Sequence, residues 1–162
     1  MNVMVKQPVF HIRAATLADV ELLAQWAEAM AFETEEKQLK SELIRSGIEA
    51  GVTNPEKARY LIAEHEGAPV GTLMLTTEWS DWRNAWWWWI QSVYVPISAR
   101  RLGVFRALYA HVEGEARSTE GVCGLRLYVE NENSRAQATY AALGMNDAHY
   151  RVFEAEFPRG AS

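Results

Sequence analysis

The sequence has a single cysteine, Cys123, and four scattered histidines, so it can form no internal disulfide and offers no zinc-type ligand cluster. Its most apolar run, residues 85–90, falls far short of the roughly 20 residues that a membrane span needs. Residues 1–10 contain no apolar stretch as long as that of a signal peptide. We therefore expect a cytoplasmic protein without a metal site or a membrane partner.

The composition is that of a globular protein, with 49 % hydrophobic and 23 % charged residues among 162. We expect one domain spanning residues 1–162, because this length is usual for a single domain. The formal net charge is −5, which disfavours general binding to nucleic acid. Residues 19–49 are locally acidic as well, and this pattern is typical of a solvated helical face.

Hydrophobic periodicity alternates between helical and strand spacing along the chain. It predicts a mixed α/β protein with the order β-α-α-β-β-β-α-β-α-β. Gly51 is predicted to end the second helix, and Gly144 the fourth. The predicted strands are residues 11–15, 59–64, 70–77, 86–95, 125–129 and 150–157, and the predicted helices are 20–32, 36–50, 103–117 and 133–143.

Residues 100–106, called the arginine loop below, follow a predicted strand and lead into a predicted helix. The surrounding stretch 82–112 contains no acid, although the protein as a whole is acidic. Backbone N–H groups at a helix start bind anions, and Gly103 would let a ligand approach the backbone closely. The loop therefore indicates a phosphate site, although surface arginines at such junctions also occur without a ligand. No Walker motif or dinucleotide glycine fingerprint is present.

A second segment begins at Asn133 and reaches Tyr140 seven residues later, about two helical turns on. The two side chains therefore point to nearly the same side of a helix. A purely structural interpretation stays open for both: Asn133 as a helix cap, with Ser134 and Gln137 as a capping box, and Tyr140 as a core aromatic.

Together these segments resemble the GNAT superfamily of N-acetyltransferases. The family's loop, Gln/Arg-x-x-Gly-x-Gly/Ala, is matched from Arg100 to Val104, with Phe105 in place of the final small residue. The later pattern, Asn-x-x-Ala-x-x-x-Tyr-x-x-x-Gly-Phe, is matched from Asn133 to Gly144, with Met145 in place of Phe.

The resemblance implies a GNAT fold whose sheet splays apart after the strand that ends at Val95. Acetyl-CoA would bind at the splay as co-substrate. Its pantetheine amides would pair with Val93, Tyr94 and Val95, and its pyrophosphate would lie on the arginine loop. The residues of that loop implied to bind the cofactor are Arg100, Arg101, Leu102, Gly103, Val104, Phe105 and Arg106. Asn133 and Tyr140 complete the set of implied acetyl-CoA-binding residues.

In this family the acetyl group passes directly to an amine, without an acyl-enzyme. Cys123 fits that chemistry, since it lacks a motif or a helix N-terminal context that would make it a nucleophile and is predicted to be a buried structural residue. Tyr140 is the predicted general acid for the thiolate. Many relatives carry a glutamate base where Trp89 and Gln91 stand here, so Glu78, Glu130 or a water chain are the alternatives for the base.

Six of the seven tryptophans lie between Trp79 and Trp89. Alternation in the run 86–89 puts two rings on each face of the strand. Three uses are open for them: a homodimer interface, the wall of an acceptor pocket, or core. Trp87, Trp89 and Gln91 are the predicted acceptor-binding residues. The leading function is an acetyl-CoA-dependent N-acetyltransferase, and the rival is a CoA-binding module of the same fold without catalysis.

Overall fold

The computed structural model describes residues 7–158, in which five strands form one sheet in the order β1-β2-β3-β4-β5. Neighbours from β1 to β4 pair antiparallel, whereas β4 and β5 pair parallel. This mixed sheet with its helices confirms the predicted fold class. The strands are β1 His11–Ala14, β2 Arg59–His65, β3 Ala68–Ser80, β4 Ala85–Tyr94 and β5 Val122–Leu127, and the helices are α1 Val20–Glu35, α2 Ser41–Thr53, α3 Val104–Ser118 and α4 Ser134–Ala142.

A tight turn joins β2 to β3 because Glu66 and Gly67 both adopt left-handed conformations, with φ of 51° and 79°. Two such residues in succession are typical of a type I′ turn, whose twist matches that of antiparallel strands. The turn and a bulge between Ala63 and Glu64 together set the register, in which Leu61 lies opposite Leu73 at the centre of the sheet.

Helices cover the sheet on both faces. On one face α3 buries Val104, Leu108 and Val112, which are at most 2 % exposed. On the other face α1 and α2 pack against the sheet through a cluster that contains Leu23, Trp26, Ile48, Ile62 and Tyr94. Alternate residues of the central strands β2 to β4 therefore serve two separate apolar layers, as the strand period of two requires.

Several predicted boundaries were wrong. Gly51 does not end α2 but lies inside it, where an added Cβ would stand 2.9 Å from the ring of Tyr60. Its lack of a side chain lets α2 approach β2. The fifth strand lies at Val122–Leu127 and is half-buried, not covered on both faces. Residues 150–157, predicted as a strand, form neither helix nor strand. Phe153 and Phe157 in this stretch are 91 % and 86 % exposed, so their side chains are not buried in an apolar layer as those of a core strand would be.

The chain divides by its internal contacts into two units, Met1–Tyr128 and Val129–Ser162. The first holds the whole sheet with α1, α2 and α3, and the second holds α4. The expectation of one domain over residues 1–162 stays a prediction. Within residues 7–158, no helix has the length and apolar character needed to cross a membrane.

Candidate functional site

The strand β4 continues beyond its parallel neighbour. Pairing with β5 covers Trp86 to Ile90, whereas pairing with β3 continues to Tyr94. The register with β3 shifts between Thr72 and Met74, and Ser92 takes a left-handed φ of 49°, which marks a bulge in β4. The end of β4, including Val93, thus lacks a β5 partner and opens an edge to which an extended amide-bearing ligand can hydrogen-bond.

The arginine loop has an unusual backbone. After a short 3₁₀ turn at Ile97–Ala99, Arg101 and Gly103 adopt left-handed conformations, with φ of 66° and 86°, and Gly103 caps the start of α3. Alternating left-handed residues turn successive N–H groups into one concavity, and the first turn of a helix adds N–H groups without intrahelical partners. No atom lies within 4 Å of a Cβ built on Gly103, so the space above the backbone is open.

The three arginines of the loop differ in their surroundings. All three are exposed to solvent, but Arg100 also has hydrogen-bond partners. Its guanidinium donates through Nε to the carbonyl of Val95 at 2.9 Å and through Nη2 to Glu33 Oε2 at 2.5 Å. The hydrogen bond from Arg100 lowers the pKa of Glu33. Sequence reasoning missed Glu33, because it had been grouped with the acidic helical face.

Gly71 of β3 was also missed. An added Cβ would stand 2.6 Å from Val104 Cγ1 and 3.3 Å from the carbonyl oxygen of Tyr94. The absence of a side chain therefore lets the first turn of α3 lie directly on the sheet beside the end of β4. A glycine inside a predicted strand is the sequence signal for such a close approach.

Three predicted residues meet on the sheet face opposite α3. Glu78 Oε2 accepts a hydrogen bond from Trp89 Nε1 at 2.9 Å, and its Oε1 accepts one from Arg126 Nη1 at 2.6 Å. The Arg126 guanidinium also lies 4.2 Å from the ring centroid of Trp87. An added Cβ at Gly124 would come 2.5 Å from this ring, so the glycine lets the indole lie close over β5.

Next to this group, Gln91 donates from Nε2 to Thr76 Oγ1 at 2.6 Å. A cavity of about 100 Å³ lies between α1, α2 and the sheet, and it includes Ser92 at the bulge. Its lining is mostly apolar and aromatic. The cavity lies beside the free end of β4. The lining residues are Leu23, Trp26, Ala27, Met30, Ile44, Ile48, Tyr60, Thr72, Ser92 and Tyr94.

The second unit contains the remaining predicted residues. Asn133 caps α4, because its Oδ1 accepts a hydrogen bond from the Ala136 N–H at 3.0 Å. The helix ends at Ala142, and Gly144 follows it in a left-handed conformation, in which the Gly144 and Met145 N–H groups donate to carbonyls of the last turn. Burial raises the pKa of Tyr140, so its phenol stays protonated at neutral pH. Glu130 is exposed, and its backbone carbonyl accepts from Asn133 N–H.

The tryptophans divide between the faces as predicted. Trp88 is only 8 % exposed and belongs to the core, whereas Trp86 packs edge-on against Trp79 with both rings more than 40 % exposed. Cys123 was predicted to be buried, but it is partly exposed, with its Sγ donating to the carbonyl of Trp86 at 3.3 Å. It lies on the half-buried strand β5, so one side of it faces solvent. No three metal-ligating side chains converge anywhere in residues 7–158.

Comparison with known proteins bears on the family and the fold of this chain. Residues 20–145 match the model of the acetyltransferase (GNAT) family. A possible acetyltransferase from Clostridium difficile 630 is 36 % identical, with a TM-score of 0.86 over 93 % of this chain and 99 % of that one. Comparison with curated protein sequences found no match.

Two more distant structures show the same fold. One is a predicted acetyltransferase from Clostridium acetobutylicum with acetyl-CoA, 14 % identical, with a TM-score of 0.72 over 91 % of this chain and 96 % of that one. The other is an aminoglycoside N-acetyltransferase in complex with CoA, 15 % identical, with a TM-score of 0.74 over 95 % of this chain and 99 % of that one.

Proposed function

Because the chain belongs to the GNAT acetyltransferase family, we propose that it is an acetyl-CoA-dependent N-acetyltransferase. It would transfer an acetyl group directly to a primary amine of a small molecule or a protein. The observation that carries this proposal is the left-handed pair Arg101 and Gly103 at the start of α3, beside the free end of β4. A pyrophosphate fits the first feature, and an amide-bearing pantetheine arm fits the second.

In this proposal the N–H and C=O groups of Val93, Tyr94 and Val95 pair with the pantetheine amides. The pyrophosphate lies on the backbone N–H groups from Arg101 to Arg106, which are supported by the positive end of the α3 dipole. The space above Gly103 suits a phosphate oxygen, since a Cβ there would occupy it.

Acetyl-CoA would supply an activated thioester. The protein's own groups must stabilise the negative charge that develops on its carbonyl oxygen and on the leaving sulfur. A backbone N–H of β4 near Val93 is the candidate donor to the carbonyl oxygen, where negative charge develops. Tyr140 is the candidate acid for the leaving thiolate, because a phenol whose pKa is raised by burial keeps its proton at neutral pH.

The acceptor amine must lose a proton before it attacks, because a lysine-like amine has a pKa of about 10.4. Glu78 is the candidate base in the sheet. Its two oxygens are already held by Trp89 and Arg126, so it would act from a fixed position. Glu130 and a water chain are the alternatives.

We assign the acceptor to the face formed by Trp87, Trp89 and Gln91 together with the neighbouring cavity at Ser92. The exposed rings of Trp79 and Trp86 lie on the opposite face and would serve a homodimer interface instead. A cytoplasmic location, a single functional domain over residues 1–162 and the absence of nucleic-acid, metal and membrane partners complete the proposal.

The cofactor assignment is tested by thermal unfolding with and without acetyl-CoA. We expect acetyl-CoA to raise the Tm of the wild type and pantetheine to do so far less. Gly103→Asn should abolish most of the shift, because asparagine tolerates a left-handed φ but fills the phosphate space. Gly121→Asn is the matched control, since Gly121 also has a left-handed φ and open surroundings. A full shift in Gly103→Asn would overturn the loop assignment.

A second candidate function is a CoA-binding module that has lost catalysis. The observation that favours it is the presence of Trp89 and Gln91, neither of which can accept a proton at neutral pH, at the positions where many relatives carry a glutamate. An assay of free thiol released from acetyl-CoA, run against a panel of amines, separates the two functions. Acetyl-CoA binding without turnover on any amine of the panel would favour the module.

A further inference from the structure

A carboxylate in α1 joins the two ends of the segment that leaves β4. Glu33 Oε1 accepts a hydrogen bond from the hydroxyl of Tyr94 at 3.1 Å, and its Oε2 accepts one from Arg100 Nη2 at 2.5 Å. Arg100 also donates to the carbonyl of Val95. The guanidinium carbon lies 5.9 Å from the Tyr94 ring centroid. One acid thus holds the last residue of β4 and the first residue of the arginine loop.

The position of Glu33 is unfavourable when α1 is considered alone. It lies near the C-terminal end of the helix, where the dipole is negative, and the last turn contains no basic residue. A carboxylate in this position is explained by its tertiary partner, Arg100, which is distant in sequence.

We propose that Glu33 and Arg100 form a positioning pair that holds the arginine loop in its phosphate-binding conformation, and that Arg100 does not itself contact the pyrophosphate. This inference rests on the proposed function. It corrects the role that the family resemblance implies for Arg100 and assigns phosphate binding to the residues that follow it.

The donors of Arg100 support this division of roles. Its Nε and Nη2 are used by Val95 and Glu33, and the carboxylate neutralises its charge. The next residue, Arg101, is the first with a left-handed φ. Fixing Arg100 therefore fixes the direction in which the chain enters the concavity of N–H groups.

The test measures the Kd for CoA by titration calorimetry in the wild type, Glu33→Gln and Arg100→Lys. Glutamine keeps the size of Glu33 but loses its charge. Lysine keeps the charge of Arg100 but lacks the planar guanidinium that donates to Val95 and Glu33 at the same time. We expect each variant to weaken CoA binding by about 3- to 10-fold. The double variant should be little weaker than either single one, because the two residues act as a unit.

A direct phosphate contact by Arg100 predicts the opposite pattern. Glu33→Gln would then release the guanidinium and leave CoA binding unchanged or tighter, and this result would overturn the positioning role. Tight binding in Arg100→Lys would do the same, even if Glu33→Gln failed to fold. Failure of the wild type to bind CoA would instead overturn the proposed function.

Two controls separate positioning from general stability. Glu21→Gln breaks another exposed ion pair of α1, that with Arg45 at 2.7 Å, and should leave CoA binding unchanged. Pantetheine lacks the pyrophosphate, so its weaker binding should be equal in the wild type and in Glu33→Gln. An equal loss for pantetheine and CoA would mean that the pair acts on the whole site, which would also overturn the proposal.

Discussion

The contact between β3 and the first turn of α3 allows a single methyl group to test how the site is built. In Gly71→Ala the new Cβ would stand 2.6 Å from Val104 Cγ1, a distance that Cβ atoms do not tolerate. The valine cannot turn away freely, because it is only 2 % exposed. The other near neighbours are the backbone oxygen of Tyr94 and Val95 Cγ2, both at 3.3 Å.

Overpacking of this kind costs about 1–3 kcal/mol of unfolding free energy. For a chain of this length each kcal/mol lowers the Tm by about 2–4 °C, so we expect a decrease of about 2–12 °C. The displaced residue, Val104, is the first residue of α3 and lies within the arginine loop, so the Tm shift produced by acetyl-CoA should decrease as well.

Urea unfolding and the Tm measure this effect, and Gly114→Ala provides the matched control. Gly114 lies inside α3 with no atom within 4 Å of an added Cβ, so alanine should stabilise that variant by about 0.5–1 kcal/mol through helix propensity. Adding Val104→Ala to Gly71→Ala removes the clashing methyl group. The double variant should then be less destabilised than the sum of the two single changes.

The reasoning would be refuted by a Gly71→Ala protein that is as stable as the wild type. Additive effects in the double variant would also contradict it, because they would show that the two side chains do not compete for the same space.

Two further predictions concern acid–base groups. Tyr140→Phe removes only the hydroxyl donor, so kcat should fall by about 10²- to 10⁴-fold with nearly unchanged acetyl-CoA affinity; near-normal turnover in a folded variant would mean that the thiolate leaves unassisted. Hydrogen bonds from Arg13 lower the pKa of Asp19 from 3.8 to about 2. Because the folded-state pKa is the lower one, this pair should contribute about 2 kcal/mol above pH 4 and lose it as the pH falls towards 2. Urea unfolding across this range checks the loss, and Asp19→Asn should not show it.

Local patterns in the sequence identified most of the secondary structure. The helix from Val20 and the strand from Arg59 begin where their hydrophobic period begins. Asn133 caps α4, as expected of an asparagine that directly precedes a helix. Such features depend on residues within one or two turns of each other, so they can be predicted from the sequence alone. The strand predicted at residues 150–157 failed, because alternation does not supply the neighbour to which a strand must bond.

In the candidate site too, the sequence predicted the local features but not the contacts between distant residues. Gly103 and the arginines mark a phosphate site by their order in the chain, since a strand, a glycine and a helix start are local features. Nothing local distinguishes Arg100 from Arg101, and both are exposed, yet the fold gives Arg100 a carboxylate partner in Glu33.

The sequence by itself therefore determined the order of elements up to α4, the family and the position of the arginine loop. Only the tertiary structure decided which groups meet across distance: Glu33 with Arg100, Gly71 with Val104, and Glu78 with Arg126. The physical reason is that charge neutralisation, hydrogen bonding and steric exclusion act over a few ångströms in space. Residues far apart in the chain enter that range only when the sheet and its helices are assembled.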